Sequence, residues 1–196
     1  MRLASGMTSD AIIAATGDFD GDGATDVAVV QAGAVSLWLA GGDVLTLSTS
    51  APAGAQLAAA GDADGDGYAD LLWTSADGVS LWRVLSGAVA ETLPVTTPAG
   101  ATLLAFADLD GDGSAELVLR TAPDALTVSE ALAPFATTQG AAPADAALAG
   151  CGDYDGDGTR DLLWEDAASL HLVTAAGEQL IPLDPASAWQ LFPHCE

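Results

Sequence analysis

Gly17-Asp18-Phe19-Asp20-Gly21-Asp22-Gly23, closed three residues later by Asp26, recurs three more times along the chain. The copies are Gly61-Asp62-Ala63-Asp64-Gly65-Asp66-Gly67, Ala107-Asp108-Leu109-Asp110-Gly111-Asp112-Gly113 and Gly152-Asp153-Tyr154-Asp155-Gly156-Asp157-Gly158. Their first aspartates stand 44, 46 and 45 residues apart. A period that steady marks a tandem array of one structural unit.

The likeness extends beyond the turns. Pro52-Ala53-Gly54, Pro98-Ala99-Gly100 and Pro143-Ala144-Asp145 each begin ten residues ahead of a first aspartate, and Pro185-Ala186-Ser187 repeats the lead-in once more. Each turn runs into a short apolar segment: Val27 to Val30, Leu71 to Trp73, Leu117 to Leu119 and Leu162 to Trp164. Such runs, rich in branched and aromatic residues, read as strands. Ala34 to Trp38 and Gly78 to Trp82 match at the repeat spacing and form the next strand. Gln56 to Ala60 and Thr102 to Phe106 precede their turns, while Val44 to Thr49 and Val89 to Val95 close their repeats.

Four short strands in about 45 residues is the size of one β-propeller blade, and no 3.6-residue apolar period supports a helical repeat. The expected fold is therefore all-β, a β-propeller of four four-stranded blades, read as one domain over residues 1–196. The repeats span 10–53, 54–98, 99–144 and 145–184, with a closing strand in 185–196. Ala188 to Phe192 occupies the place that opens a repeat, and is expected to fasten the ring where its ends would leave unpaired edges.

The turns carry the chemistry. Each reads D-x-D-G-D-G-x-x-D, with Glu116 replacing the last aspartate of the third copy. A hard cation such as Ca²⁺ takes about six to eight oxygens, and alternate carboxylates on one tight turn deliver them. The expected ligands are Asp18, Asp20, Asp22 and Asp26 with the Ala24 carbonyl, and Asp62, Asp64, Asp66 and Asp70 with the Tyr68 carbonyl. The third turn supplies Asp108, Asp110, Asp112 and Glu116 with the Ser114 carbonyl, and the fourth Asp153, Asp155, Asp157 and Asp161 with the Thr159 carbonyl. About four Ca²⁺ per chain are expected, the third site differing through its longer Glu116. The glycines between the acids let the backbone curl where a Cβ would intrude. An EF-hand is excluded, because its twelfth position requires Glu and here holds Val29, Trp73, Leu119 or Trp164. Mg²⁺ suits the pattern less well, since it keeps several waters. Without metal the crowded carboxylates repel, so metal binding is coupled to folding.

Composition narrows the partners. Among 196 residues, 28 acids face 4 arginines and no lysine, for a formal net charge of -24, and 50% of the residues are hydrophobic. The chain repels phosphate backbones and anionic membranes, which argues against nucleic acid, and no apolar run suits membrane insertion. The start shows no secretory signal, so either a leader has been removed or the chain is part of something longer. Cys151 and Cys195 allow one disulfide closing a long loop, or two unpaired thiols.

No nucleophile or zinc motif surrounds His171 or His194, and the regularly spaced carboxylates are assigned to calcium, so no catalytic residue is expected. The tryptophans at 38, 73, 82, 164 and 189 recur at matching places, which argues first for core packing. If any are exposed, Trp38 and Trp82 are the candidates for a repeated carbohydrate pocket.

At the four turns and the Asp-Leu-Leu-Trp segments 70–73 and 161–164, the sequence resembles the FG-GAP/VCBS repeats, calcium-binding propeller repeats also found in integrin α chains and secreted proteins. The resemblance covers nearly the whole chain. It implies a secreted or cell-surface propeller acting as a non-catalytic binding module for a glycan, in lectin fashion, or for a protein partner. The alternatives are a structural or adhesion spacer of a larger surface protein, and an accessory domain of a polysaccharide-degrading enzyme. Family propellers often have seven or eight blades, so the four repeats either close alone or are half of a larger ring completed by a homodimer.

Overall fold

The computed structural model describes residues 10–132, 138–143, 145–174, 176–183 and 194–195. The described residues contain strands and turns and no helix. The chain divides into two compact units, one ending at Thr97 and the other beginning at Pro98, and each unit holds two antiparallel sheets of propeller-blade type.

In the first unit, β1 (Ile12–Gly17), β2 (Asp26–Gln31), β3 (Ala34–Trp38) and β4 (Val44–Thr46) pair in chain order as a meander. A second meander follows in β5 (Gln56–Gly61), β6 (Asp70–Ser75), β7 (Gly78–Leu85) and β8 (Ala88–Val95). The expected closing strand Val44 to Thr49 is regular only to Thr46, although Leu47 still donates its N–H to the Val35 carbonyl at 2.9 Å.

The second unit holds β9 (Thr102–Ala107), β10 (Glu116–Ala122), β11 (Ala125–Glu130) and β12 (Thr138–Ala141), again in neighbour order. Its other sheet consists of β13 (Ala147–Gly152), β14 (Asp161–Glu165), β15 (Ser169–Thr174) and β16 (Gly177–Pro182). A two-residue strand, β17 (His194–Cys195), lies parallel to β13 with Cys195 opposite Cys151. Cys151 is disulfide-bonded, and Cys195 is the only other cysteine in the sequence. The proposed fastening strand Ala188 to Phe192 and its Trp189 lie outside the described residues.

Burial follows position in the blade. The second strands are the most buried, β6 and β10 through their first four residues, whereas β16 is exposed along its length. A strand covered on both faces needs apolar side chains on both, which is why Leu71-Leu72-Trp73 and Leu117-Val118-Leu119 do not alternate. In the first unit, Phe19, Val35, Leu37, Leu71, Trp73, Trp82 and Val84 form one core drawn from both sheets. Trp73 and Trp82 meet there with ring centroids 4.9 Å apart at 52°. The second unit packs Ala105, Val118, Leu126 and Ala146 around Trp164, with the Arg120 guanidinium 5.1 Å above the Trp164 ring.

One backbone feature also repeats. The opening strand of each sheet shifts register once, between Ile13 and Ala15, Leu57 and Ala59, Leu103 and Ala105, and Leu148 and Gly150. The extra residue bends each strand at the same place before it enters the acidic turn.

Candidate metal centres

All four acidic turns join the first strand of a sheet to the second and share one wiring. The first aspartate takes amides from further along the turn: Gly21 and Gly23 donate to Asp18 at 2.7 and 2.8 Å, and Gly65 and Gly67 to Asp62 at 2.8 Å each. Gly111 and Gly113 do the same for Asp108, and Gly156 and Gly158 for Asp153. These curls need positive φ, as at Gly21 (75°) and Gly23 (82°), where a side chain would be strained. The third aspartate accepts the N–H two residues on, from Ala24, Tyr68, Ser114 or Thr159. Those four residues, expected to offer carbonyls, thus meet the third acid through their N–H groups. The Thr159 hydroxyl also donates to Asp157 at 2.6 Å and holds that carboxyl below its usual range.

The fourth acid reaches back seven residues. Asp26, Asp70, Glu116 and Asp161 accept N–H groups from Phe19, Ala63, Leu109 and Tyr154 at 2.9, 3.1, 2.6 and 2.9 Å. All four are buried. In the first unit the other oxygen is used as well: Ala40 donates to Asp26 at 2.7 Å and Val84 to Asp70 at 2.8 Å. In the second unit, Glu116 Oε1 and Asp161 Oδ1 are buried without a hydrogen-bond partner. That difference sorts the acids. Carboxylate oxygens converge to within 4.8 Å of one another in Asp18, Asp20 and Asp22; in Asp62, Asp64 and Asp66; in Asp108, Asp110, Asp112 and Glu116; and in Asp153, Asp155 and Asp161. Asp26 and Asp70 stand outside these groups as struts between turn and sheet, and Asp157 is turned to Thr159.

Burial without a cation is costly for such groups. Asp70 is pushed up to about 7, chiefly by desolvation, against the amides that stabilise its charge. Glu116 is also pushed up to about 7 by desolvation and by the nearby charges of Glu130 and Asp110. Glu130 is raised in turn, first by desolvation and then by Asp112, Asp110 and Asp108. A hard cation fits this donor set: it would satisfy the stranded oxygens of Glu116 and Asp161 and neutralise the converging acids.

Neighbouring turns are stitched together within each unit. Ala69 in the second turn donates its N–H to the Asp18 carbonyl at 2.6 Å, and Arg160 in the fourth donates to the Leu109 carbonyl at 2.8 Å. The Tyr68 ring lies against Gly21, where an added Cβ would stand 3.1 Å from it.

Two side chains at these turns were not singled out by the sequence motif. Glu130 pairs across the sheet with Glu116, adding a fifth carboxyl beside the third turn. Arg83 lies against Asp64, with a terminal nitrogen 3.6 Å from Asp66 Oδ2. Both sit 13 or 14 residues beyond the fourth acid, on the third strand of the blade, so only hairpin register reveals them.

The candidate carbohydrate residues are corrected. Trp38 and Trp82 are 9% and 2% exposed; Trp82 packs on Trp73 in the core, and the Trp38 indole N–H donates to Ser36 Oγ at 3.0 Å. Neither presents a free ring face, because inward positions on the third strand are needed to fill the space between sheets. His171 is held between Asp166 and Glu178, at 2.9 and 2.7 Å, with hydrogen bonds to both raising its pKa. Of His194 the backbone alone is described.

Repeated four-stranded meanders, each with an acidic turn between its first and second strands, define a β-propeller-type repeat protein with the makings of a binding or structural module. The chain belongs to the FG-GAP-like repeat family, whose model matches residues 18–73 and again 62–119, together more than half of its length. No curated protein matches it.

Proposed function

We propose that the protein is a calcium-stabilised, non-catalytic binding module working in a secreted or cell-surface setting. The observation that carries this reading is the convergence of carboxylates at the acidic turns, with Asp161 Oδ1 buried without a donor among them. An atom of this kind costs about 1–3 kcal/mol when unmet, and a divalent ion in its own turn meets it together with the converging carboxylates there. Calcium fits better than Mg²⁺ because the turns offer many protein oxygens, whereas Mg²⁺ keeps several waters and a strict octahedron. Since adjacent turns are joined through Ala69 and Arg160, an ion held in one turn stiffens its neighbour as well.

The disulfide at Cys151 supports an oxidising compartment. Both ring nitrogens of His171 are engaged by carboxylates, which supports a clasp within the β15–β16 hairpin over acid-base work. With Trp38 and Trp82 inside the core, the partner favoured is a protein, ahead of a glycan.

The test is a calcium titration of chelator-stripped protein by calorimetry, followed by thermal melting. Heat of binding and a clear rise in melting temperature are expected, because a ligand of the native state alone stabilises it. Identical melting with calcium and with EDTA, and no heat, rejects the reading. Glycan arrays with and without calcium then separate a sugar ligand from a protein one.

A further inference from the structure

The second acidic turn departs from the other three in what its middle aspartate does. Asp20, Asp110 and Asp155 each fold back to accept the N–H of the third aspartate, from Asp22, Asp112 and Asp157 at 3.2, 3.1 and 3.1 Å. Asp64 makes no such bond. Its Oδ2 pairs with the Arg83 guanidinium, and its Oδ1 is left buried without a hydrogen-bond partner. The same guanidinium nitrogen is 3.6 Å from Asp66 Oδ2, and the other terminal nitrogen is 3.6 Å from Glu91 Oε2.

Arg83 arrives there through strand register. Leu71 pairs with Trp82, so Arg83 follows directly opposite Asp70, just before Val84, whose N–H holds Asp70. The corresponding place is Leu39 in the first sheet, before Ala40 and its bond to Asp26. It is Glu130 in the third, opposite Glu116, and Thr174 in the fourth, one step beyond the Leu162–Val173 pair. One apolar, one basic, one acidic and one neutral polar residue therefore stand opposite the fourth acids of four nearly identical turns.

We propose that Arg83 is the built-in cation of the second turn, standing where a divalent ion would be held, so that calcium fills the first, third and fourth turns at concentrations that leave the second empty. The inference rests on the calcium reading above. A guanidinium paired with two of the three converging carboxylates repels an incoming cation, and entry of that ion requires breaking the Arg83–Asp64 pair. Arginine suits the role because it stays charged and its planar fork spans two carboxylates. The second turn thus carries part of its counter-charge without metal, and the motif that reads as the same site four times is three sites and an internal salt bridge.

Calorimetric titration of the stripped full chain with calcium tests this, using wild type, Arg83→Leu, which installs the first sheet's residue, and Arg83→Lys, which keeps the charge. Three ions in wild type and in Arg83→Lys, with four in Arg83→Leu, is the expected result. In EDTA, Arg83→Leu melts below wild type, and it gains more from calcium than wild type does. Four ions of like affinity in wild type overturn the proposal and leave the calcium reading standing. Three in both wild type and Arg83→Leu overturn the role of Arg83. No binding by any variant overturns the calcium reading and this inference with it. Should Arg83→Leu fail to fold, Arg83→Gln removes the charge while keeping most of the side chain's length, and the same outcomes apply.

Discussion

The N–H of Ala69 donates to the carbonyl of Asp18 at 2.6 Å, tying the end of the second acidic turn to the start of the first. Around this bond the two turns touch closely. A Cβ added at Gly17 would stand 2.6 Å from the Ala69 Cβ, nearer than two carbons can approach.

Gly17→Ala therefore forces the turns apart. Overpacking of this kind costs roughly 1–3 kcal/mol, and urea denaturation should show a loss in that range. Gly23→Ala is the contrasting variant, since its cost arises from φ (82°) and nothing lies within 4 Å of the added carbon. If Gly17→Ala matches wild type, the turns are not packed as described.

Asp26 is a strut between turn and sheet, because both oxygens hold amides, from Phe19 and Ala40. Asp26→Asn turns one acceptor into a donor facing an N–H, at a cost of about 1–3 kcal/mol. The loss should appear in EDTA as well as in calcium. A loss confined to calcium would make Asp26 a ligand first.

In the absence of metal, raising the pH should weaken the fold. Asp70 and Glu116 have folded values of about 7, above the roughly 4 of an unfolded chain. Their contribution is fully present below about pH 4 and is lost as the pH climbs through about 7. Melting in EDTA should fall between pH 5 and 8, and calcium should oppose the fall by favouring the ionised form. Glu116→Gln, which removes one of these ionisations, should flatten the metal-free profile; a profile as steep as wild type would assign the slope to overall charge repulsion.

Reducing the disulfide at Cys151 releases a loop that runs on to Cys195. For a loop of about 45 residues the chain-entropy estimate is about 4 kcal/mol. Denaturation with and without reductant measures it, and an unchanged midpoint would mean that the loop is held equally well by other contacts.

The array and its strands were legible because each repeat announces itself locally. Aspartates and glycines at fixed offsets can form only a tight acidic turn, and Asp-Leu-Leu-Trp after that turn can be covered only in a sheet. The acids at positions one, two and three of the turn group together because they are neighbours on one curl of backbone. Local spacing alone could not separate Asp26 from Asp161. Both end the same motif, but Ala40 supplies a second amide to Asp26, whereas Asp161 Oδ1 has no hydrogen-bond partner.

What the amino-acid order determined by itself is the number of repeats, their length, the four strands of each blade and the acidic turn that joins the first strand to the second. Tertiary structure decided which carboxylates are struts and which converge, that Trp38 and Trp82 fill the core, and that Arg83 and Glu130 stand beside the second and third turns. The physical reason is that the first set depends on residues a few positions apart. The second depends on antiparallel register, which brings a side chain 13 or 14 residues away within reach of the turn and sets its charge environment.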